Sequence, residues 1–395
     1  MNRRAFLRRA LAAGTLAWLM PPGTVGAVAD GAVRQPGLRR KLIVVQFGGG
    51  VRCSETISDP QHRHIPRLWN EVVPRGTLCS NMRVEGKVVH PNSTGSMMTG
   101  HWEWADLDWE KPLAHPTVFE ICRRATGASD LKAWAFVYAS ILAKTTESSA
   151  SGFGPNFAAN VVVPPTIPRQ TADDMDALLR KAASAGSDEA QAAAARTCAS
   201  LARSASAISL AGLRSGTARA FIERQYAAWK QGTGSTSHDA FLADCGLACM
   251  KEHAPDVLAV CFGEIDCAHY GAWSRYVEAI TRTDALTWRL WEAIQALDEY
   301  RDRTLMLILP DHGRELDESG GLGFVHHSDF YTGRDVDEGC RRVWMLALGP
   351  GISAGRTITE PIPITTVAAT GLEYLGLQPS SGAAESLWSR LRSEG

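Results

Sequence analysis

"LMLILPDHGRE", residues 305–315, decides how the chain folds. Five apolar residues in a row, Leu305 to Leu309, make the pattern of a strand buried on both faces. Asp311 and His312 stand just past Pro310, followed by Gly313 and Arg314. Inside a strand, neighbouring side chains point to opposite faces, so an adjacent acid and imidazole would not serve one site. Past the strand end, with Gly313 free to turn the chain, they can converge. In open α/β sheets ligands bind outside that end of the strands. A solvated Asp-His turn is the plain alternative, and the other strand ends decide between the two.

Short apolar runs recur at 41–47 ("KLIVVQF"), 133–140 ("AWAFVYAS"), 256–262 ("DVLAVCF") and 342–348 ("RVWMLAL"). Amphipathic helical stretches lie between them. In 273–298, Tyr276, Ile280, Leu286, Leu290 and Ile294 recur near helical spacing. Alternating strand and helix predicts an α/β fold, a mainly parallel central sheet with helices on both faces. The runs at 41–47, 256–262 and 304–309 are expected to be neighbours with their carboxyl ends together. Residues 169–230, rich in Ala and Ser, read as a helical insertion that either shapes the site entrance or is a structural flank. Proline punctuation in "VVVPPTIPRQ" (161–170) marks its start.

The first 29 residues have the layout of an export signal. A basic head precedes a short apolar stretch, Ala10 to Met20, and small residues at 27–29 suit cleavage after Ala29. Arg3-Arg4 followed by Phe6-Leu7 resembles the twin-arginine signal, so the export machinery of that pathway and a periplasmic or otherwise exported location are expected. The apolar stretch is too short for a stable membrane span. Residues 30–40 read as a linker and 41–395 as one α/β domain. With 41 Lys+Arg against 42 Asp+Glu, the formal net charge is -1, which gives no global field for nucleic acid. The nine cysteines show neither CxxC nor zinc-finger spacing, and mostly buried thiols are expected.

Three further polar clusters follow strands or loops. "VLAVCFGEIDCAHYG" leads into Glu264, Asp266 and His269, and the three-residue spacing puts the last two on one side of a helical turn. "GLGFVHHSDF" supplies His326 and His327, and "VVHPNSTGSMMTGHW" supplies His90 and the hydroxyls of Ser93, Thr94 and Ser96 before a helix. Each alone has a dull explanation as a cap, a turn or a satisfied histidine. Together they look like scattered metal ligands gathered by a fold.

This pattern resembles the alkaline-phosphatase superfamily, which includes sulfatases and phosphodiesterases. Asp311-His312-Gly313 is similar to its "DHG", Asp266 and His269 to its Asp-turn-His, and His326, preferred over His327, to its late histidine. "RRVWMLALGPGI" and "PITTVAATGLEYLGL" are similar to its closing segments. The likeness covers about 41–57, 90–100 and 255–376. A twin-arginine-exported branch shares "GGG-x-R", His90 and "HGR". Two features depart from the superfamily. Its first strand usually ends in a metal-binding Asp, where "VVQFGGGVR" has glycines, with Gln46, Arg52 and Glu55 the nearest polar groups. Its nucleophile, a Ser, Thr or modified Cys, falls here on His90, with Ser93 and Thr94 one helical turn later.

The resemblance implies a metal-dependent hydrolase of a small anionic ester, phosphate or sulfate. Asp266, His269 and His326 would form one metal site and Asp311 and His312 part of another, for one or two divalent ions, zinc suiting these donors. Ser93 or Thr94 would attack, and Arg52 or Arg314 would clamp the anion. The other reading is a non-catalytic protein of the same fold that binds a metal or anion as a scaffold.

Overall fold

The computed structural model describes residues 40–232, 236–317, 323–328 and 336–393. The export-signal reading of 1–29 and nearly all of the linker fall outside them. Among the described residues no helix is long and apolar enough to cross a membrane.

The chain forms a nine-stranded sheet, mostly parallel. Its strands are β1 (Lys41–Phe47), β2 (Thr77–Arg83), β3 (Ala133–Val137), β4 (Asn160–Val162), β5 (Val257–Phe262), β6 (Thr304–Pro310), β7 (Arg342–Leu348), β8 (Arg356–Ile358) and β9 (Ile362–Pro363). The helices are α1 (His90–Thr99), α2 (Val118–Thr126), α3 (Arg169–Ala185), α4 (Asp188–Ala205), α5 (Gly216–Gln231), α6 (His238–His253), α7 (Trp273–Ala296), the single turn α8 (Glu338–Arg341), α9 (Thr366–Leu375) and the short α10 (Trp388–Leu391). Strand order is β4-β3-β5-β1-β6-β7-β2-β8, with β9 beside β2. Only β7 runs against its neighbours β6 and β2.

β1 is buried throughout because it lies between β5 and β6 and under helices on both faces. Leu42 and Val44 pack with the layer that includes α1, α2 and α9, while Ile43, Val45 and Phe47 pack with α5, α6 and α7. This explains the unbroken apolar run, since alternation appears only where one sheet face meets water. Burying each such Val or Ile contributes roughly 1.5–3 kcal/mol relative to exposure.

Register matters most for the site. Phe47 stands opposite Phe262 on one side and Pro310 on the other, so the three central strands stop at the same level. Gly48, Gly263 and Asp311, the next residues, therefore leave the sheet together. The three runs expected to be neighbours are neighbours, and their carboxyl ends coincide.

The sequence reading passed over β2, whose "TLCSNMR" interrupts its apolar positions with Ser80 and Asn81. The insertion is helical, as expected, and spans α3, α4 and α5. Of these only α5 sends several large apolar groups, Phe221 and Ile222 among them, into the core. α3 packs on α4 and is largely exposed. All nine cysteines are free thiols, seven of them buried.

Candidate metal centre

Four strand ends and loops deliver one cluster of imidazoles and carboxylates. Asp266 and His269 lie on a 3₁₀ turn, Glu264–Tyr270, straight after β5. With three residues per turn, side chains three apart eclipse. Their facing atoms, Asp266 Oδ1 and His269 Nε2, are 3.2 Å apart. Asp311 and His312 follow β6 and are fully buried. His90 is the first residue of α1, and His327 comes from the segment 323–328.

His90 lies at the middle. Its Nε2 is 3.3 Å from Asp266 Oδ1, its Nδ1 is 2.7 Å from Asp311 Oδ2, and the same Nδ1 is 2.9 Å from His312 Nε2. Burial would lower its pKa, but the carboxylates of Asp311 and Asp266 outweigh that and hold it at about 9. Among the described residues two potential metal-binding groups result: His90, Asp266, His269 and His327, and His90, Asp311 and His312.

The other three histidines share a device. His312 Nδ1 is 2.8 Å from the Gly313 carbonyl, His269 Nδ1 is 2.8 Å from the Val325 carbonyl, and His327 Nδ1 is 3.3 Å from the Val88 carbonyl. A carbonyl oxygen only accepts, so each Nδ1 carries a proton and each Nε2 is aimed away from the backbone. Burial lowers the His312 pKa to about 4, and burial with His312 nearby pushes His327 well below its ordinary value, so both stay neutral. His269 Nε2 faces the Asp266 carboxylate at 3.2 Å, a spacing that a proton or a cation between them can fill.

The glycines after β1 explain why no carboxylate stands there. Gly49 and Gly50 have φ of 98° and 73°, and a Cβ on them would come within 2.4 Å of the Asp266 nitrogen and 2.7 Å of His312 Cε1. Their N–H groups instead donate to Asp311 at 3.3 and 3.0 Å, and the His312 N–H adds a bond of 2.9 Å. Burial works against the Asp311 charge, but His312 and His90 outweigh it and hold the pKa at about 2.

Other expected site residues are placed differently. His326 is not part of either group: its Nδ1 turns to Glu315 at 2.8 Å. His327 takes the expected place. Arg52 is no anion clamp, because its guanidinium binds both Glu55 oxygens at 2.8 and 2.9 Å and also Asp317. Glu55 is thereby committed too, and accepts from the Tyr276 hydroxyl at 3.0 Å. Arg314 is fully buried, donating to Asp266 at 2.8 Å and to the carbonyls of Gly49, Gly50 and Phe324. It fixes a carboxylate instead of meeting a ligand. Thr94 exchanges hydrogen bonds with Gln46 at 2.8 and 3.2 Å, which removes it as a ready nucleophile. The Ser93 hydroxyl is buried without a partner.

A cavity of about 700 Å³ opens beside Asp266 and His269, and Tyr138, Asp239, Glu264 and Arg282 also line it. Among the described residues, none of α3, α4 or α5 lines this cavity, while Ser209, Ala211 and Gly212 line an adjoining one that shares Tyr138 and His238. Tyr138 and Asp239 escaped the sequence reading. Tyr138 directly follows β3, and Asp239 accepts the Gly263 and Glu264 N–H groups at 2.8 and 3.0 Å, bracing the turn that carries Asp266.

No protein-family model matches the chain, and no curated protein matches it. Solved structures do. A phosphonate monoester hydrolase of Agrobacterium radiobacter is 14% identical, with 90% of this chain and 78% of that chain covered at a TM-score of 0.53. A 2-O GAG sulfatase is 11% identical, with 90% and 75% covered at 0.52. A variant of the alkaline phosphatase PafA is 11% identical, with 91% and 100% covered at 0.53.

Proposed function

We propose that this chain, which has the fold shared by alkaline phosphatases, sulfatases and phosphonate monoester hydrolases, is a metal-dependent hydrolase of phosphate or sulfate esters. The observation that carries the reading is the set of three histidines whose Nδ1–H groups are locked on backbone carbonyls. Such outer partners fix the tautomer and aim Nε2 at a metal.

The donors fit a divalent ion. Zinc binds imidazole and carboxylate at about 2.0–2.2 Å, which sets tetrahedral donor atoms roughly 3.3 Å apart. The pairs Asp266–His269 and His90–Asp266 stand at 3.2 and 3.3 Å. His90, Asp266, His269 and His327 would hold one ion, and His90, Asp311 and His312 a second. A bound ion would supply Lewis acidity toward an ester oxygen. The chain's own residues do the rest of the positioning. Arg314 orients Asp266, Gly49 and Gly50 orient Asp311, and Asp239 braces the turn below the cavity that would admit a small anionic ester.

The test is metal content of the purified protein measured with turnover of aryl phosphate, phosphodiester and aryl sulfate substrates. Bound metal with turnover of one of these is expected. Turnover insensitive to chelation would overturn the reading. A second reading, a non-catalytic metal- or anion-binding protein, is favoured by His90 in the nucleophile's place and by the commitment of Thr94, Arg52 and Arg314. It predicts bound metal and no turnover. We further propose delivery to the periplasm by the twin-arginine machinery. Replacing Arg3 and Arg4 together with Lys is expected to leave precursor in the cytoplasm, and normal delivery of that variant would refute it.

A further inference from the structure

We propose that His90 is a bridging ligand, one ring nitrogen binding a cation held by Asp266, His269 and His327 and the other a cation held by Asp311 and His312. The inference rests on the metal-centre reading above and goes beyond it. Both groups of potential ligands contain His90, and it is the only residue they share. The sharing is not a matter of one atom reaching two ways, because its two nitrogens face different partners. Nε2 looks to Asp266 Oδ1 at 3.3 Å, and Nδ1 looks to Asp311 Oδ2 at 2.7 Å and His312 Nε2 at 2.9 Å.

The surroundings hold the ring in that attitude. The His312 ring stacks on it at 4.5 Å between centroids, the His327 ring lies at 4.7 Å, and Tyr138 meets it edge-on at 5.9 Å. None of these neighbours binds His90 through a backbone group, unlike the other three imidazoles. Each of those has Nδ1 tied to a carbonyl and only Nε2 turned away from the backbone, which suits a terminal ligand. His90 has both nitrogens turned to ligand atoms. It also begins α1, where the positive end of a helix favours a ring that has lost charge.

The balance is simple. Each ring nitrogen that takes an ion gives up any proton it holds: an N–H bond breaks, a nitrogen–metal bond forms, and the proton passes to the buffer. A ring committed at both nitrogens has no lone pair for attack on an ester, so the residue in the nucleophile's place is not a nucleophile.

The test uses the full chain stripped of metal and titrated with copper(II), read by electron paramagnetic resonance. Wild type is expected to take up two ions per chain, with the second suppressing the signal of the first by exchange through the His90 ring. His269→Ala and His312→Ala each disrupt one group and are expected to leave one ion with an isolated signal at full intensity. His90→Ala is expected to remove the exchange. These variants do not depend on His90→Ala folding. Two ions with independent full-intensity signals in wild type would overturn the bridge alone. No bound ion at all would overturn the metal reading and the bridge with it.

Discussion

The two halves of the cluster are built in opposite ways. The Asp311 half is sealed: Asp311 and His312 are both 0% exposed, and the carboxylate accepts from Gly49, Gly50, His312 and His90. The Asp266 half is open, with side chains of Asp266 and His269 exposed by 34% and 40% beside a cavity of about 700 Å³. Yet the sealed half has three potential metal ligands and the open half four. The glycines that end the first strand in place of a carboxylate have not left a hole. Backbone N–H groups have filled it and turned Asp311 into a structural keystone as well as a potential ligand. Of the two halves, the open one faces the cavity.

The comparison breaks most visibly at Asp311. Asp311→Ala leaves the Gly49, Gly50 and His312 N–H groups and the His90 ring without their buried acceptor. Removing one partner of a buried ionic pair costs about 3–5 kcal/mol. Denaturant unfolding of the metal-free protein is expected to show a loss of that size. A loss below about 1 kcal/mol would mean that the half is not sealed as described.

pH sharpens the contrast, because the carboxylate under the open half is shifted the other way. Burial, with Glu264 nearby, raises the pKa of Asp239 from 3.8 to about 7. The folded chain therefore keeps a proton there that the unfolded chain releases near pH 4. Stability from this group is full below about pH 4 and is lost as pH rises through the raised folded value. Asp239→Asn is expected to remove that slope from the unfolding free energy measured between pH 4 and 7. An unchanged slope in the variant would assign the shift elsewhere.

A third prediction separates metal binding from folding. His269→Ala in the open half is expected to weaken the tighter metal-binding event by 100-fold or more, while metal-free stability changes by less than about 1 kcal/mol. His312→Ala is expected to weaken only a second, looser event and to lower stability by more. Calorimetric titration and denaturant unfolding of the two variants check both. Equal metal loss from both variants would erase the difference between the halves.

The central strands were legible because a strand buried on both faces writes itself as an apolar run, and the residues that end such runs, Asp266 and Asp311, were legible with them. The choice between His326 and His327 was not. Adjacent histidines differ only in which way the backbone aims them, and their ring partners here are Glu315 and Val88, the second distant in sequence. Arg52 and Arg314 look like anion clamps until the fold shows Glu55 and Asp266 beside them. Gln46 gave no hint of Thr94, since the pairing depends on α1 lying over β1. Tyr138 carried no motif at all.

Tyr138 gives the smallest expected effect and the finest test of which half is open. Its ring is seated against two strand-end glycines: a Cβ on Gly263 would come within 1.9 Å of its Cγ, and one on Gly48 within 3.0 Å of its Cε1. Burial, then the charges of Asp311 and Asp266, push its pKa well up, so the phenol keeps its proton. That hydroxyl is buried and has no hydrogen-bond partner among the described residues. A buried polar group without a partner costs about 1–3 kcal/mol, and removing it recovers part of that cost. Tyr138→Phe keeps the ring in its glycine seat and deletes only the hydroxyl. Thermal and denaturant unfolding of the metal-free variant are expected to show stability unchanged or raised by up to about 1 kcal/mol. A loss of more than about 1 kcal/mol would show that the hydroxyl has a structural partner, most simply an ordered water between the two carboxylates. The open half would then be more closed than its cavity suggests.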